Sequence, residues 1–253
     1  MRWILIFITL TLVLFGVFQL YQIMTGWHYI VPANQGELIF VSTFDENSEG
    51  WIQEQSLDQT VEIVDGVMQI ALSSVQGAFT STETYFDNFD VSVETRVTVG
   101  AFDEQSADGY GIIFRLIDQS NFYAFYINND GVYRVVHVVD NISRNLSAWL
   151  ETDAINSAIG SVNNLRVIGY GDHFQFYIND ELMELCIPDD ADAISTFVNG
   201  DCIRGSMQTV LTNDSLSSGR LGLIVDLVSA EETGLSIDFD NVVVYGPEPI
   251  INE

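Results

Sequence analysis

The side chains with the clearest potential for ligand chemistry lie on three successive strand-like segments. The turn Asn129-Asp130-Gly131 fits a three-residue hairpin loop with its glycine in the left-handed region, and it pairs Tyr126 with Arg134. Alternation along the strands then places a set of aromatic, apolar and arginine side chains on one face. An aromatic ring can stack on a sugar, and a guanidinium can donate paired hydrogen bonds to its oxygens. The candidate ligand-binding residues are Ile113, Arg115, Phe122, Tyr126 and Arg134.

The opposite face of the same strands predicts a hydrophobic core. The preceding turn is predicted to pair Phe114 with Phe125 and Arg115 with Ala124, which puts Ile112, Phe114, Phe125 and Val135 together. We therefore expect Phe125→Ala to destabilise the fold and Tyr126→Ala to leave it intact. The alternative for the two arginines is that they form ion pairs with nearby acids.

Aspartates near both ends of the body suggest a calcium site. If the first and last strands pair, Asp45 comes close to Asp238 or Asp240, and carboxylate oxygens suit Ca²⁺. Such a site would be structural, and no cofactor is expected to be required. A second acidic group, which would otherwise be a solvated surface loop, consists of Asp189, Asp190, Asp192 and Asp201.

The chain has two cysteines, Cys186 and Cys202. Two cysteines in a protein outside the cytoplasm predict a disulfide. In the chain-entropy model, closing the loop between them would stabilise the fold by about 3 kcal/mol. Neither cysteine belongs to a C-x-x-C pair, and no histidine is close in sequence, which disfavours a metal site.

Composition excludes several classes of partner. The formal net charge is -28, from 36 acidic and 8 basic residues, and every basic residue is arginine. Such a chain repels nucleic-acid phosphates and anionic lipid headgroups. The hydrophobic fraction of 47% nevertheless indicates a folded body of ordinary core size.

The first residues form an uncharged apolar run from Trp3 to Leu20, which predicts a transmembrane helix. Arg2 before the run predicts a cytoplasmic amino terminus and an extracytoplasmic body. The bulky residues after the run favour an uncleaved anchor over a cleaved signal peptide. The predicted organisation is a transmembrane anchor over 1–23, a juxtamembrane linker over 24–37, one domain over 38–247 and a tail over 248–253.

The remainder reads as short alternating strands separated by tight turns. The segments YGIIFRLIDQSNFYAFYINNDGVYRV, NNLRVIGYGDHFQFYINDELM, SGRLGLIVDL and SIDFDNVVVY resemble the concanavalin A-like lectin/glucanase superfamily. This resemblance implies an all-β, two-sheet antiparallel jelly-roll sandwich, here preceded by the predicted transmembrane helix.

The same resemblance implies carbohydrate or surface-ligand binding, but no catalytic residues are predicted. Glycoside hydrolysis needs a pair of carboxylates across the bond, and Asp238 and Asp240 alternate on one strand without the third acid of the family motif. We therefore expect an extracytoplasmic binding module for a glycan or cell-surface ligand. The alternatives are a divergent glycoside hydrolase and a structural domain that packs against a partner protein.

Overall fold

The computed structural model describes residues 2–25, 28–45, 50–100, 109–190, 193–228 and 234–250. Contacts divide the chain into residues 1–30 and residues 31–253, and this division falls inside the predicted linker. Of the segments predicted from sequence, residues 1, 26–27 and 251–253 lie outside the described part, as does Asp192 of the second acidic group.

The secondary structure consists of one described helix followed by strands, numbered here in chain order. The elements are α1 (Arg2–Thr25), β1 (Leu38–Ser42), β2 (Glu54–Gln55), β3 (Gln59–Val64), β4 (Val67–Leu72), β5 (Gln76–Phe86), β6 (Phe89–Val99), β7 (Gly109–Asp118), β8 (Asn121–Ile127), β9 (Val132–Val139), β10 (Ile142–Asn145), β11 (Leu150–Glu151), β12 (Val162–Tyr170), β13 (His173–Ile178), β14 (Glu181–Leu182), β15 (Leu185–Pro188), β16 (Thr196–Val198), β17 (Asp201–Ile203), β18 (Gly205–Gln208), β19 (Leu211–Thr212), β20 (Gly219–Leu227) and β21 (Leu235–Tyr245).

These strands form an antiparallel sandwich of two sheets. The larger sheet has the order β14-β13-β12-β6-β21-β4-β3-β2, with β1 paired to β21 and β19 paired to β13. The smaller sheet has the order β10-β9-β8-β7-β20-β5, with β11 paired to β9. Two short hairpin pairs, β15 with β18 and β16 with β17, lie outside both sheets. The all-β sandwich predicted from the sequence is therefore confirmed.

The main core lies between the sheets because both contribute alternating buried side chains. Residues 89–98 of β6 alternate between buried and half-buried, as expected of a strand with one face in a core. Aromatic rings fill the centre: Phe114 stacks on Tyr123 at 5.2 Å between centroids and lies 5.2 Å from Phe174. The predicted core residues Ile112, Phe114, Phe125 and Val135 are all buried in this cluster.

The predicted hairpin register is confirmed for β8 and β9. Tyr126 pairs with Arg134, and Gly131 of the connecting turn has a φ of 82°. The predicted register of β7 against β8 is wrong by two residues, since Phe125 pairs with Ile112. A bulge between Phe114 and Asp118 accommodates the two extra residues of β7. Because side chains alternate with a period of two, a register shift of two residues leaves the residues before the bulge on their predicted faces.

The amino-terminal segment is helical, but the prediction of a membrane anchor is corrected. Within the described residues, no helix combines the length and apolar character that a membrane crossing requires. A single-pass membrane protein, with the membrane as partner through this helix, does not fit that finding.

The predicted disulfide is confirmed. Cys186 of β15 and Cys202 of β17 are bonded, with their Cα atoms 5.5 Å apart. The bond ties the two short hairpin pairs together, and we refer to residues 186–202 as the disulfide segment. Ser195 donates a hydrogen bond to the Cys186 carbonyl at 2.7 Å, and Ile187 packs against the main core. The segment is therefore anchored to the sandwich at its base.

Candidate functional site

The structure places most of the predicted ligand-binding residues together on the outer face of the smaller sheet. Ile113, Phe122 and Tyr126 belong to one apolar cluster, and the Arg134 guanidinium lies 5.6 Å from the centre of the Tyr126 ring. Trp149, which the sequence analysis did not single out, lies 4.4 Å from the same guanidinium. The register argument therefore grouped these four predicted residues correctly, and their role in ligand binding stays a prediction.

This outer-face cluster is packed and not open. Tyr126 is only 3% exposed, and its hydroxyl donates a hydrogen bond of 2.5 Å to Asp226. Burial is the main reason that the pKa of Tyr126 lies well above its ordinary value, and the charge of Asp226 raises it further. The arrangement makes Tyr126 a buried, hydrogen-bonded part of the sheet in this structure.

Arg115 does not share that face, so its predicted position is wrong. The residue is 1% exposed, has a φ of 50° and lies within the β7 bulge, which turns its side chain towards the core. Its guanidinium donates hydrogen bonds to the backbone carbonyls of Asp87, Gly171 and Leu216 and lies 4.6 Å from the Phe174 ring centre. Arg115 thus connects separate chain segments and is a structural residue.

An open groove of about 750 Å³ lies where β9 and β10 of the smaller sheet approach the disulfide segment and the loop after β19. Three separate stretches of the chain and one strand residue form its walls. The lining residues are His137, Ser143, Arg144, Asn145, Leu146, Ile187, Pro188, Asp189, Asp190, Ala193, Ile194, Leu211, Thr212, Asn213, Asp214 and Ser215.

The hairpin of β9 and β10 positions the first wall. Arg144 pairs with His137, so both side chains lie on the same side of the hairpin, towards the groove. Asp140 and Asn141 at its turn have φ values of 52° and 63°, which suit the tight two-residue turn that sets this register. Leu146 follows β10 and packs against the main core, which gives the groove an apolar part.

The opposite walls are held by hydrogen bonds of two kinds, one to the sandwich and one within the short strand pairs. The Asn213 side-chain oxygen accepts hydrogen bonds from the Tyr123 hydroxyl at 2.6 Å and from the Ser215 amide at 3.1 Å. In the disulfide segment, the Asp189 amide donates to the Arg204 carbonyl at 3.1 Å. These hydrogen bonds restrain the described parts of both walls, which lowers the entropy cost of binding.

His137 is the most unusual polar group in the groove wall. The residue is 9% exposed, its ring lies 6.0 Å from Tyr123, and its Nδ1 has no hydrogen-bond partner in the described part of the chain. Burial lowers the pKa of His137 below its ordinary 6.5, and the nearby charge of Arg144 lowers it further. The imidazole is therefore neutral at physiological pH.

We expect this neutral histidine to make stability depend on pH. As the pH falls through 6.5, His137 takes up a proton more readily in the unfolded chain than in the folded protein, where its pKa is lowered, so the free energy of unfolding decreases. His137→Gln should therefore lose less stability between pH 7 and pH 5 than the wild type in urea denaturation. Between pH 7.5 and 8.5 the two proteins should show the same pH dependence. An identical loss for both proteins below pH 6.5 would refute this assignment.

The acidic residues proposed to bind calcium are engaged in other contacts. Asp238 accepts hydrogen bonds from Arg96 at 2.8 Å and from Gln69 at 2.9 Å. Burial raises the pKa of Asp240, and the charges of Glu94 and Asp45 add to that rise. No group of three or more metal-ligating side chains is found among the described residues. Calcium binding at Asp45, Asp238 and Asp240 stays a prediction.

The sequence analysis did not identify the groove. Besides the disulfide, its acidic group gave the one hint, since Asp189 and Asp190 line the groove, whereas Asp201 is exposed and does not. Leu146, Leu211 and Asp214 come together only through the fold, so no local motif could have grouped them.

Comparison with protein families identifies the chain. Residues 40–224 match the model of the 3-keto-alpha-glucoside-1,2-lyase-like domain, and the protein belongs to this family. A search of the curated proteins found no match.

Solved structures share the fold at low sequence identity. The carbohydrate binding module CBM66 from Bacillus subtilis is 15% identical, with a TM-score of 0.52 over 78% of this chain and 95% of that one. The carbohydrate recognition domain of Emp47p is 10% identical, with a TM-score of 0.53 over 86% and 100%. A Bacillus subtilis protein of unknown function with a galectin-like fold is also 10% identical, with a TM-score of 0.53 over 85% and 98%. The fold is therefore a galectin-like jelly roll.

Proposed function

We propose that this domain binds a carbohydrate in the groove between β10, the disulfide segment and the loop after β19. The observation that carries the proposal is the lining itself, in which hydrogen-bonding side chains surround an apolar part formed by Leu146 and Ile194. The volume of about 750 Å³ lies within the usual range for small-molecule sites. The names of CBM66 and of the Emp47p domain, both of which describe carbohydrate binding, support this choice of ligand.

The groove chemistry suits a polyhydroxylated ligand. Sugar hydroxyls both donate and accept hydrogen bonds, and the groove offers donors on Arg144 and Asn145 and acceptors on Asp189 and Asp214. The apolar part can cover the C–H face of a sugar ring, while ordered walls hold the polar groups in place. This combination of orienting polar groups and an apolar surface is typical of binding sites.

We expect Arg144→Gln to weaken carbohydrate binding by about 10- to 100-fold, because it removes a charge-assisted donor worth about 1.5–3 kcal/mol. Arg204→Gln is the matched control, since Arg204 is exposed and does not line the groove. A glycan array would find a ligand, and calorimetry would then compare the two variants with the wild type. Equal affinity of all three proteins would contradict the proposal.

Catalysis in the same groove is the second candidate function, favoured by the family match together with His137. A 1,2-elimination from a 3-keto sugar requires a base that removes the C2 proton. The electron pair of the broken C2–H bond then forms the C1–C2 double bond as the C1 oxygen leaves with the electrons of the C1–O bond. It also requires a proton donor for that oxygen. Neutral His137 would be the base that takes the C2 proton, and the imidazolium so formed would donate that proton to the leaving oxygen.

Incubation with a 3-keto-disaccharide separates the two functions. Release of the free leaving sugar by the wild type, and its loss in His137→Gln, would establish catalysis. Carbohydrate binding without any product would support the binding function alone.

A further inference from the structure

We infer that the groove selects neutral or amino-bearing sugars and rejects glycans that carry carboxylate or sulfate groups. This inference rests on the proposed carbohydrate binding and specifies the chemical class of the ligand. It follows from the charges that the fold brings into the groove, because the lining contains three carboxylates and a single guanidinium in the described residues.

The carboxylates lie on two of the facing walls. Asp189 and Asp190 belong to the disulfide segment, Asp214 belongs to the loop after β19, and all three are exposed. Arg144 on the third wall is the only permanently cationic side chain of the described lining. An anionic sugar that contacted Arg144 would therefore also meet an excess of negative charge across the groove.

The histidine in the wall does not offset this excess. His137 is nine-tenths buried, its Nδ1 has no hydrogen-bond partner among the described residues, and burial together with Arg144 keeps the imidazole neutral. A neutral imidazole can form a hydrogen bond with a hydroxyl or an amine, but it carries no positive charge that would attract a carboxylate. The imidazole of His137, which lacks a hydrogen-bond partner at Nδ1 among the described residues, therefore also suits an uncharged or amino-bearing ligand.

The charge of the whole chain acts in the same direction. A net charge of -28 repels anionic glycans at long range and attracts cationic ones, and this effect weakens as salt rises. A protonated amino group placed near the groove carboxylates would gain charge-assisted hydrogen bonds. A sulfate or carboxylate at the same position would gain none and would lose its hydration.

The full chain can be tested on an array of neutral, amino-bearing, uronate-containing and sulfated oligosaccharides of several linkages. Glucosamine-containing and neutral oligosaccharides should bind, and the acidic ones should not. The strongest ligand is then measured by calorimetry against its amino, neutral and uronate analogues. Asp214→Asn removes one carboxylate charge from a partly hydrated groove, so it should weaken the amino analogue about fivefold more than it weakens the neutral analogue. Asp58→Asn, an exposed aspartate outside the groove, is the control.

The outcomes separate this inference from the function on which it rests. Binding of neutral or amino sugars with sensitivity to Asp214→Asn supports both. Binding of acidic oligosaccharides at least as tightly as neutral ones, with loss in Arg144→Gln, overturns the charge selectivity and leaves carbohydrate binding in place. An array with no ligand of any class overturns both. Equal effects of Asp214→Asn and Asp58→Asn on the amino analogue also overturn the selectivity.

Discussion

Replacing Arg115 by methionine is expected to destabilise the domain by about 3–9 kcal/mol. The guanidinium donates to the Leu216 carbonyl at 2.6 Å, to the Asp87 carbonyl at 3.1 Å and to the Gly171 carbonyl. Methionine fills a similar volume but leaves these acceptors without a donor, at a cost of about 1–3 kcal/mol each. Urea denaturation followed by circular dichroism measures the difference.

Arg204→Met serves as the control for this experiment, because Arg204 is exposed and outside the sandwich core. The control should stay within about 0.5 kcal/mol of the wild type. A change below 1 kcal/mol in Arg115→Met would mean that the three carbonyl contacts do not hold the segments together.

Tyr126→Ala is expected to destabilise the domain by about 3–5 kcal/mol, similar to Phe125→Ala. This differs from the sequence-based expectation that Tyr126→Ala leaves the fold intact, because Tyr126 is only 3% exposed on its face of the sheet. Tyr126→Phe separates the two contributions, since it keeps the ring and removes only the hydroxyl donated to Asp226. It should cost about 1.5–3 kcal/mol, typical of a hydrogen bond to a charged group.

Thermal and urea unfolding of the alanine variants decide between the two views of this face. Wild-type stability of Tyr126→Ala would instead support the exposed ligand-binding face that was predicted from the sequence. Large destabilisation of both alanine variants would confirm that each face of the smaller sheet is packed.

Strand alternation predicted much of the sandwich because burial of one face imposes a period of two on the sequence. It does not predict β5, whose inward residues include Thr80 and Thr82. Their hydroxyls donate to the carbonyls of Ile52 and Leu221, so these polar side chains are buried without loss of hydrogen bonds. A pattern of apolar residues cannot reveal such a strand.

The position of Arg115 could not be predicted for a different reason. Its face depends on a bulge and on a positive φ at a non-glycine residue, and neither has a clear local signature in the sequence. The hairpin of β8 and β9, by contrast, was predicted correctly because Gly131 marks its turn type. The groove depends on contacts between distant segments, so only the disulfide and its neighbouring acids were visible from the sequence.

The central claim is that the groove, and not the outer-face cluster of Tyr126 and Arg134, binds carbohydrate. Calorimetric titration of one array-selected oligosaccharide into wild type, Arg144→Gln and folded Tyr126→Phe tests it most directly. We predict that Arg144→Gln loses about 10- to 100-fold in affinity, while Tyr126→Phe stays within about twofold of the wild type. Wild-type affinity in Arg144→Gln, together with weaker binding by Tyr126→Phe, would contradict the claim and would indicate that the outer-face cluster is the binding site.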